Sequence, residues 1–296
     1  MALTILRGSN HNTSANPMSA AHEILDSLIK RGVDPIRMKE GEVVRAANGN
    51  GQVIVGGAFS DIDGTSGDDL IQGGLQSSVN GGAGNDNVFT LGLGSVDGGA
   101  GDDEIYVLDR SQAFGGDGND KITGHGSIVD GGAGDDWIQI MSGRYVAGVV
   151  DGGAGNDRIS AIGSGNVVQG GSGEDTISLI GWTPQEGSPT PTNTVKFAIG
   201  DGKDSIRALA TDVTIELGEG ITAENTEVTF TDNKAIIRFK NSQTDEITVQ
   251  LSEGNSLVLA FADGRRSETL QVKPAEIIEI RPTGGPAAVV AAYQEH

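Results

Sequence analysis

The sequence predicts an all-β fold, a right-handed parallel β-solenoid, and three observations lead to that prediction. A glycine-rich turn of six residues recurs along the middle of the chain, and successive copies begin 17, 17, 17, 16, 21 and 18 residues apart. A β-branched residue stands two positions after the last Asp of each copy, as expected for the inward side chain of a short strand. Glycine supplies 47 of the 296 residues and aromatics only 4%, so stacked coils are favoured over a large aromatic core.

The first segment, residues 1–41, is expected to form a polar lead and a capping helix. Residues 1–16 are rich in Asn and Ser. A helix fits residues 17–31, because Asn16 can act as the N-cap, Pro17 suits the first helical position and Gly32 suits the C-terminal end. We interpret this helix as the cover for one end of a repeat array. Recognition by a partner or by an export system is the alternative.

The solenoid itself is predicted over residues 42–210. Its turns follow the pattern Gly-Gly-x-Gly-x-Asp, and the copies lie at 64–69, 81–86, 98–103, 115–120, 131–136, 152–157 and 170–175, with a weaker eighth at 200–204. The β-branched residues that follow them are Ile71, Val88, Ile105, Ile122, Ile138, Ile159, Ile177 and Ile206. A second, less regular bend and another short apolar segment separate the glycine turns. Each coil is therefore expected to have two strands and two turns, with the glycine pattern on one side only.

The remainder of the chain is predicted to be a loop and a β cap. Residues 181–194 contain Pro184, Pro189 and Pro191, and proline cannot donate a ladder hydrogen bond. This segment is expected to be an exposed loop inserted between coils. After residue 210 the period fades and longer strand-like runs appear, so residues 211–296 are interpreted as a β-rich cap over the open end of the solenoid.

Charge and composition exclude several classes of protein. The chain has 20 Lys and Arg against 41 Asp and Glu, a formal net charge of −21, which argues against nucleic-acid binding. It has no Cys, so disulfides and thiolate metal sites are excluded. Its apolar stretches are much shorter than the roughly 18 residues of a transmembrane helix. No Sec signal peptide is recognisable at the N-terminus.

The repeated turn suits a hard cation. Glycines permit a positive φ and let several carbonyl oxygens converge, and the sixth residue adds a carboxylate. Oxygen donors without imidazole or thiolate favour Ca²⁺, whose shell is larger and more flexible than that of Mg²⁺. Stacked turns about 4.8 Å apart place ligands from two turns around one ion. In the alternative interpretation Asp is only a turn former, but turns alone do not require Asp at one fixed position.

These residues form a recognisable signature. The nonapeptide Gly-Gly-x-Gly-x-Asp-x-apolar-x, in seven near-complete copies, resembles the RTX, or haemolysin-type calcium-binding, family over about residues 60–206. Residues 259–264, Leu-Ala-Phe-Ala-Asp-Gly, look like part of the related segment that often follows such repeats. The resemblance implies a parallel β-roll.

The resemblance also implies a ligand set. The implied carboxylate ligands are Asp69, Asp86, Asp103, Asp120, Asp136, Asp157, Asp175 and Asp204. The implied backbone carbonyls are those of Gly64, Ser66, Gly81, Gly82, Ala83, Gly84, Gly98, Gly99, Ala100, Gly101, Gly115, Gly116, Asp117, Gly118, Gly131, Gly132, Ala133, Gly134, Gly152, Gly153, Ala154, Gly155, Gly170, Gly171, Ser172 and Gly173. Seven turns have up to six spaces between them, so about six Ca²⁺ ions are expected. Ile199 replaces the first glycine of the eighth copy.

Calcium is expected to control folding and location. Without metal the stacked carboxylates repel one another, so the repeats should be largely disordered. Extracellular calcium modules have dissociation constants near 10⁻⁴–10⁻³ M, so folding should wait for calcium outside the cell. The resemblance implies secretion from a Gram-negative bacterium by type I machinery through an uncleaved C-terminal signal, for which residues 284–293 are the candidate.

The favoured function is a secreted, non-enzymatic calcium-binding protein at the cell surface, in a matrix or at a host interface. The four histidines form no His-Glu-x-x-His pattern and Gly-x-Ser-x-Gly is absent, so no enzyme is predicted. A membrane-active or host-signalling RTX protein is the alternative, and an unrecognised enzymatic activity is a minor one. Ice binding is disfavoured because the third turn position lacks a row of Thr. The sequence does not identify the extracellular partner.

Overall fold

A computed structural model describes residues 36–37, 43–45, 51–143, 146–182, 190–231, 233–267, 269–271, 279–280, 289–290 and 292–293. Every regular element in these residues is a β-strand. The predicted polar lead and the predicted helix at 17–31 lie outside the described residues.

The strands are short and follow one another closely along the chain. In chain order they are β1 (Ile36–Arg37), β2 (Val43–Arg45), β3 (Val53–Val55), β4 (Asp61–Thr65), β5 (Leu70–Gly73), β6 (Ser78–Ala83), β7 (Asn87–Thr90), β8 (Ser95–Ala100), β9 (Glu104–Val107), β10 (Gln112–Asp117), β11 (Lys121–His125), β12 (Ile128–Ala133), β13 (Trp137–Met141), β14 (Val149–Ala154), β15 (Arg158–Ile162), β16 (Val167–Ser172), β17 (Thr176–Ile180), β18 (Thr192–Phe197), β19 (Lys203–Leu209), β20 (Asp212–Leu217), β21 (Thr226–Thr231), β22 (Lys234–Phe239), β23 (Ser242–Leu251), β24 (Ser256–Phe261), β25 (Leu270–Gln271), β26 (Glu279–Ile280), β27 (Val289–Val290) and β28 (Ala292–Tyr293).

Alternate strands belong to two large sheets. Sheet 1 contains the odd-numbered strands β1 to β19, followed by β23, β22, β21 and β28. Sheet 2 contains the even-numbered strands β2 to β20, followed by β24 and β25. From β1 to β20, neighbouring strands of each sheet are parallel, and Ile122 pairs in register with Ile105 on one side and Ile138 on the other. The chain is therefore a parallel β-solenoid, which confirms the predicted fold class.

The interior between the sheets is narrow and aliphatic. All eight β-branched residues predicted to point inward are buried, and none is more than 2% exposed. Facing residues of sheet 2, such as Ile62, Val96 and Val129, are buried as well. Strands of a parallel sheet alternate side chains between the two faces, so each short strand contributes one or two side chains to this core.

Strand β18 begins within the predicted loop. Thr194, which the sequence places in the loop at 181–194, pairs with Val167 of β16. Three residues of that range, 192–194, are therefore part of sheet 2. The prolines that predicted the loop all precede Thr192, and nothing in the polar residues after them distinguishes a loop from a strand.

The parallel coils continue past residue 210, where the sequence analysis places the start of the cap. Strand β23 pairs in parallel with β19, and β24 pairs in parallel with β20. Between these strands the chain forms the antiparallel pair β21 and β22, and β22 adds to the other edge of β23. Val249 pairs with Ile206 and continues the buried apolar column without a glycine turn, whereas Ile247 pairs with Asp204. One further coil and an antiparallel β extension thus follow the last glycine turn.

No helix in the part of the chain that the structure describes is long and apolar enough to cross a membrane.

Candidate metal centre

The glycine turns link each strand of sheet 2 to the next strand of sheet 1, and they stack in one column. Gly116 pairs in register with Gly99 and Gly132. In the six turns from 81–86 to 170–175, the second and fourth positions have a positive φ, for example 113° at Gly116 and 133° at Gly118. Residues with a side chain rarely adopt this conformation, so glycine is required at both positions.

Stacking of the turns brings all eight predicted Asp ligands into one column, which we call the carboxylate column. Each is at most 3% exposed. The backbone N–H of each Asp donates to Oδ1 of the Asp in the next turn at 2.7–3.2 Å, and the bonds join Asp69 to Asp86, Asp86 to Asp103, Asp103 to Asp120, Asp120 to Asp136, Asp136 to Asp157, Asp157 to Asp175 and Asp175 to Asp204. The backbone thus satisfies one oxygen of each carboxylate from Asp86 to Asp204.

The second carboxylate oxygen has no such partner in most of the column. Oδ2 is buried and without a hydrogen bond in Asp86, Asp103, Asp120, Asp136, Asp157 and Asp175. Burying a charged oxygen without a partner is unfavourable, and native proteins normally pair such a group with a donor or a cation.

The first glycine of each turn leaves space beside these oxygens. A Cβ added to Gly115 would lie 2.3 Å from Asp120 Oδ2 and 2.3 Å from the carbonyl oxygen of Gly131 in the next turn. The same pair of oxygens, one carboxylate and one carbonyl from the next turn, lies beside Gly64, Gly81, Gly98, Gly131 and Gly152. Glycine is required at the first position because two oxygens lie close to it: a carboxylate oxygen of the same turn and a carbonyl oxygen of the next turn.

The implied carbonyl ligands at the first and third turn positions differ in their surroundings. First-position carbonyls, such as Gly98 O and Gly115 O, face the unpartnered carboxylate oxygens. Third-position carbonyls accept backbone hydrogen bonds, as Ala100 O does from the N–H of Gly84 at 2.8 Å. The first-position carbonyls are therefore better placed to accept a cation.

The two ends of the column differ from its middle. Gln52 occupies the place of the sixth-position Asp in the coil before the first glycine turn, and its backbone N–H donates to Asp69 Oδ1. Asp69 Oδ2 accepts the N–H of Thr65 at 2.5 Å.

At the other end of the column, Asp245 of β23 is 3% exposed and accepts the N–H groups of Gly200 and Gly202 at 2.9 and 3.2 Å. No glycine pattern surrounds Asp245, so the repeat does not predict it.

A second, exposed ladder runs beside the carboxylate column at the fifth turn position. The side-chain Oδ1 of each residue accepts the backbone N–H of the fifth residue in the next turn at 2.7–3.0 Å. Acidic and neutral residues alternate along it, in the order Asp68, Asn85, Asp102, Asn119, Asp135, Asn156 and Glu174. The alternation keeps the charged members two coils apart and so reduces their repulsion. The alternation is already visible in the sequence.

Burial raises the pKa of seven carboxyls in the column above the ordinary value of 3.8. The pKa rises to about 7 for Asp86, Asp103 and Asp136, to about 6 for Asp120 and Asp157, and to about 8 for Asp204, and it is also raised for Asp175. Neighbouring carboxylates raise the pKa further, whereas the backbone N–H bonds lower it. The metal-free column thus disfavours its own negative charge.

Side chains alone do not complete a metal shell. In the described ranges, no three Asp, Glu or His side chains lie close enough together to hold a metal ion. An ion between two turns would need carbonyl oxygens in addition to carboxylates, as Ca²⁺ sites commonly use. The unpartnered Oδ2 atoms and the carbonyls beside them fit that requirement.

No protein-family model matches the chain, and no curated protein matches it significantly.

Lowering the pH is expected to stabilise the metal-free solenoid. A raised folded-state pKa contributes stability that is fully present below the unfolded value of about 3.8 and is lost as the pH rises through about 6–7. Circular dichroism of EDTA-treated protein should show more β-structure at about pH 5 than at about pH 7.5. The Asp103→Asn, Asp120→Asn double variant lacks two of the titrating groups and should show a smaller difference. An equal or weaker β-signal of the unmodified chain at the lower pH would contradict this prediction.

Proposed function

We propose that the chain is a non-enzymatic, calcium-binding protein of the RTX type, whose solenoid folds when Ca²⁺ binds between stacked glycine turns. One observation supports the proposal above all: six buried carboxylate oxygens in a single column lack a hydrogen-bond partner. Five of them, all but that of Asp175, have a carbonyl oxygen of the next turn close to the same glycine. An all-oxygen donor set of carboxylates and carbonyls suits Ca²⁺.

Adjacent turns would share each ion. Its carboxylate ligands would come from the sixth position, as with Asp103 and Asp120, and its carbonyl ligands from the first position, as with Gly98 and Gly115. When bound, the ion supplies positive charge to a column that otherwise repels itself. Six divalent ions carry twelve positive charges, which is more than half of the formal net charge of −21. The free energy of binding then becomes free energy of folding, because the unfolded chain has no such sites.

We further propose that folding takes place outside the cell. Calcium modules with dissociation constants near 10⁻⁴–10⁻³ M stay empty at cytosolic calcium levels. The acidic, cysteine-free composition and the RTX resemblance support export by a type I system, with residues 284–293 as the candidate signal. The folded protein would act at the cell surface, in a matrix or at a host interface.

Counting the bound ions tests the proposal. Equilibrium dialysis of the EDTA-treated chain against a few millimolar Ca²⁺ should give about six ions per chain, and Mg²⁺ at the same concentration should give far fewer. Replacing Asp120 by Asn should remove one or two ions, because this carboxylate lies between two spaces of the column. Asp109→Asn is the matched control and should leave the count unchanged. Binding of less than one ion per chain, or equal binding of Mg²⁺, would overturn the proposal.

A further inference from the structure

A polar groove lies on the outer face of sheet 1, over the strands that follow the last two glycine turns and the strands added after them. Its volume is about 570 Å³, and strands β17, β19, β21, β22 and β23 contribute to its lining. The described side chains that point into it comprise five hydroxyls, two amides and two cations. A smaller cavity of about 160 Å³ adjoins it and shares Arg207, Asn233 and Gln250 with it.

The strand register places the groove residues in a row. Arg207 of β19 pairs with Gln250 of β23, which pairs with Lys234 of β22. Neighbouring strands are about 4.8 Å apart, so the backbone positions of Arg207 and Lys234 lie about 10 Å apart along the row. Ser205 and Thr248 form a second pair beside it. The buried residues next to them in sequence face the core, so these polar side chains face outward.

The charge of the groove is opposite to that of the chain. No described lining residue is acidic, although acidic residues outnumber basic ones by 41 to 20 in the whole sequence. Asp232, which neighbours Asn233 in the sequence, lies outside the described residues. The side chains of Arg207 and Lys234 make no ion pair with a described residue; Lys121, Arg238, Lys240 and Arg265 are paired with carboxylates, and other described cations, such as Arg158, are not.

We propose that this groove binds an acidic oligosaccharide, a sugar chain that carries carboxylate or sulfate groups. Two cations that pair with no described residue provide charge-assisted hydrogen bonds to the anionic groups. The hydroxyl and amide side chains both donate and accept hydrogen bonds, as sugar hydroxyls require. The cations disfavour a metal ion, and the described lining has no aromatic ring on which a nucleic-acid base could stack. This inference goes beyond calcium binding, because the groove lies outside the carboxylate column.

Calorimetric titration of the full chain in Ca²⁺ buffer tests the proposal. The probes are a sulfated heparin octasaccharide, a polygalacturonate octasaccharide and neutral maltooctaose. At least one charged probe should bind about tenfold or more tightly than the neutral one, and its affinity should fall with added NaCl. The two charged probes show whether sulfate or carboxylate is preferred. Failure of both charged probes to bind better than maltooctaose would overturn the proposal.

Two double variants locate the binding. Arg207→Gln with Lys234→Gln should weaken binding of the charged probe about tenfold or more. Lys121→Gln with Arg158→Gln removes the same charge from the same sheet outside the groove and should change the affinity less than about twofold. Both variants should keep the circular dichroism spectrum and calcium midpoint of the unmodified chain. Equal losses in the two variants, or an oligonucleotide that binds as tightly and depends equally on Arg207 and Lys234, would overturn the assignment.

Discussion

Calcium is expected to convert the metal-free chain from a largely disordered state into the β-solenoid in one cooperative transition. At neutral pH the folded, metal-free column buries carboxylates whose second oxygens have no partner, so the unfolded chain, in which they are hydrated, is favoured. Each bound ion would order two turns at once and so favour binding in the next space, because the turns are joined in one ladder of hydrogen bonds. The transition should therefore be steep in calcium concentration.

Far-UV circular dichroism of EDTA-treated protein measures this transition. The midpoint should fall at roughly 10⁻⁴–10⁻³ M Ca²⁺, and Mg²⁺ should not reproduce it, since Mg²⁺ loses its water reluctantly and requires a tighter octahedral shell. A chain that is already fully folded in EDTA at neutral pH would contradict the prediction. The glycine turns would then be purely structural, and calcium would not control folding.

Replacing Asp103 and Asp120 together by Ala is expected to have the largest effect of any pair of substitutions on this response. The two residues lie in adjacent turns, and each supplies an unpartnered Oδ2 atom. The variant also removes the acceptor of the Asp103 N–H, whose hydrogen bond to Asp120 Oδ1 measures 2.8 Å. Loss of two charged ligands from neighbouring sites should raise the calcium midpoint about tenfold or more.

Asp109→Ala is the control for this variant. Asp109 is exposed in the second turn of its coil, and its backbone carbonyl, which accepts the N–H of Leu93 at 3.0 Å, remains after the substitution. Its calcium midpoint should stay within about twofold of that of the unmodified chain. Equal midpoints for the double variant and for Asp109→Ala would refute the assignment of the carboxylate column as the calcium site.

The regular part of the molecule could be predicted from its sequence because each turn contacts another turn of the same kind. The period places Ile105, Ile122 and Ile138 in one buried column, and the same period places the carboxylates in another. The pattern also indicates that glycine is needed. The reason why the first turn position needs glycine is evident only in three dimensions, where the carboxylate of the same turn and a carbonyl of the next turn meet beside Gly115.

The ends could not be predicted in the same way because they contact unlike partners. Asp245 reaches Gly200 and Gly202 across an inserted antiparallel pair of strands, at sequence separations of 45 and 43 residues. No repeat connects these positions. Gln52 likewise takes the place of an Asp in a coil whose turn does not match the glycine pattern.

The exposed ladder at the fifth turn position has a consequence for how such an array can change in length. Its members alternate between acidic and neutral, so deletion of the single coil that contains Asn119 would place Asp102 directly beside Asp135. Deletion of the coil that contains Asp102 would instead place two Asn residues side by side. Removal or insertion of two adjoining coils preserves the alternation everywhere. The unit of duplication that keeps this surface electrostatically unchanged is therefore a pair of coils, although the unit of the backbone fold is one.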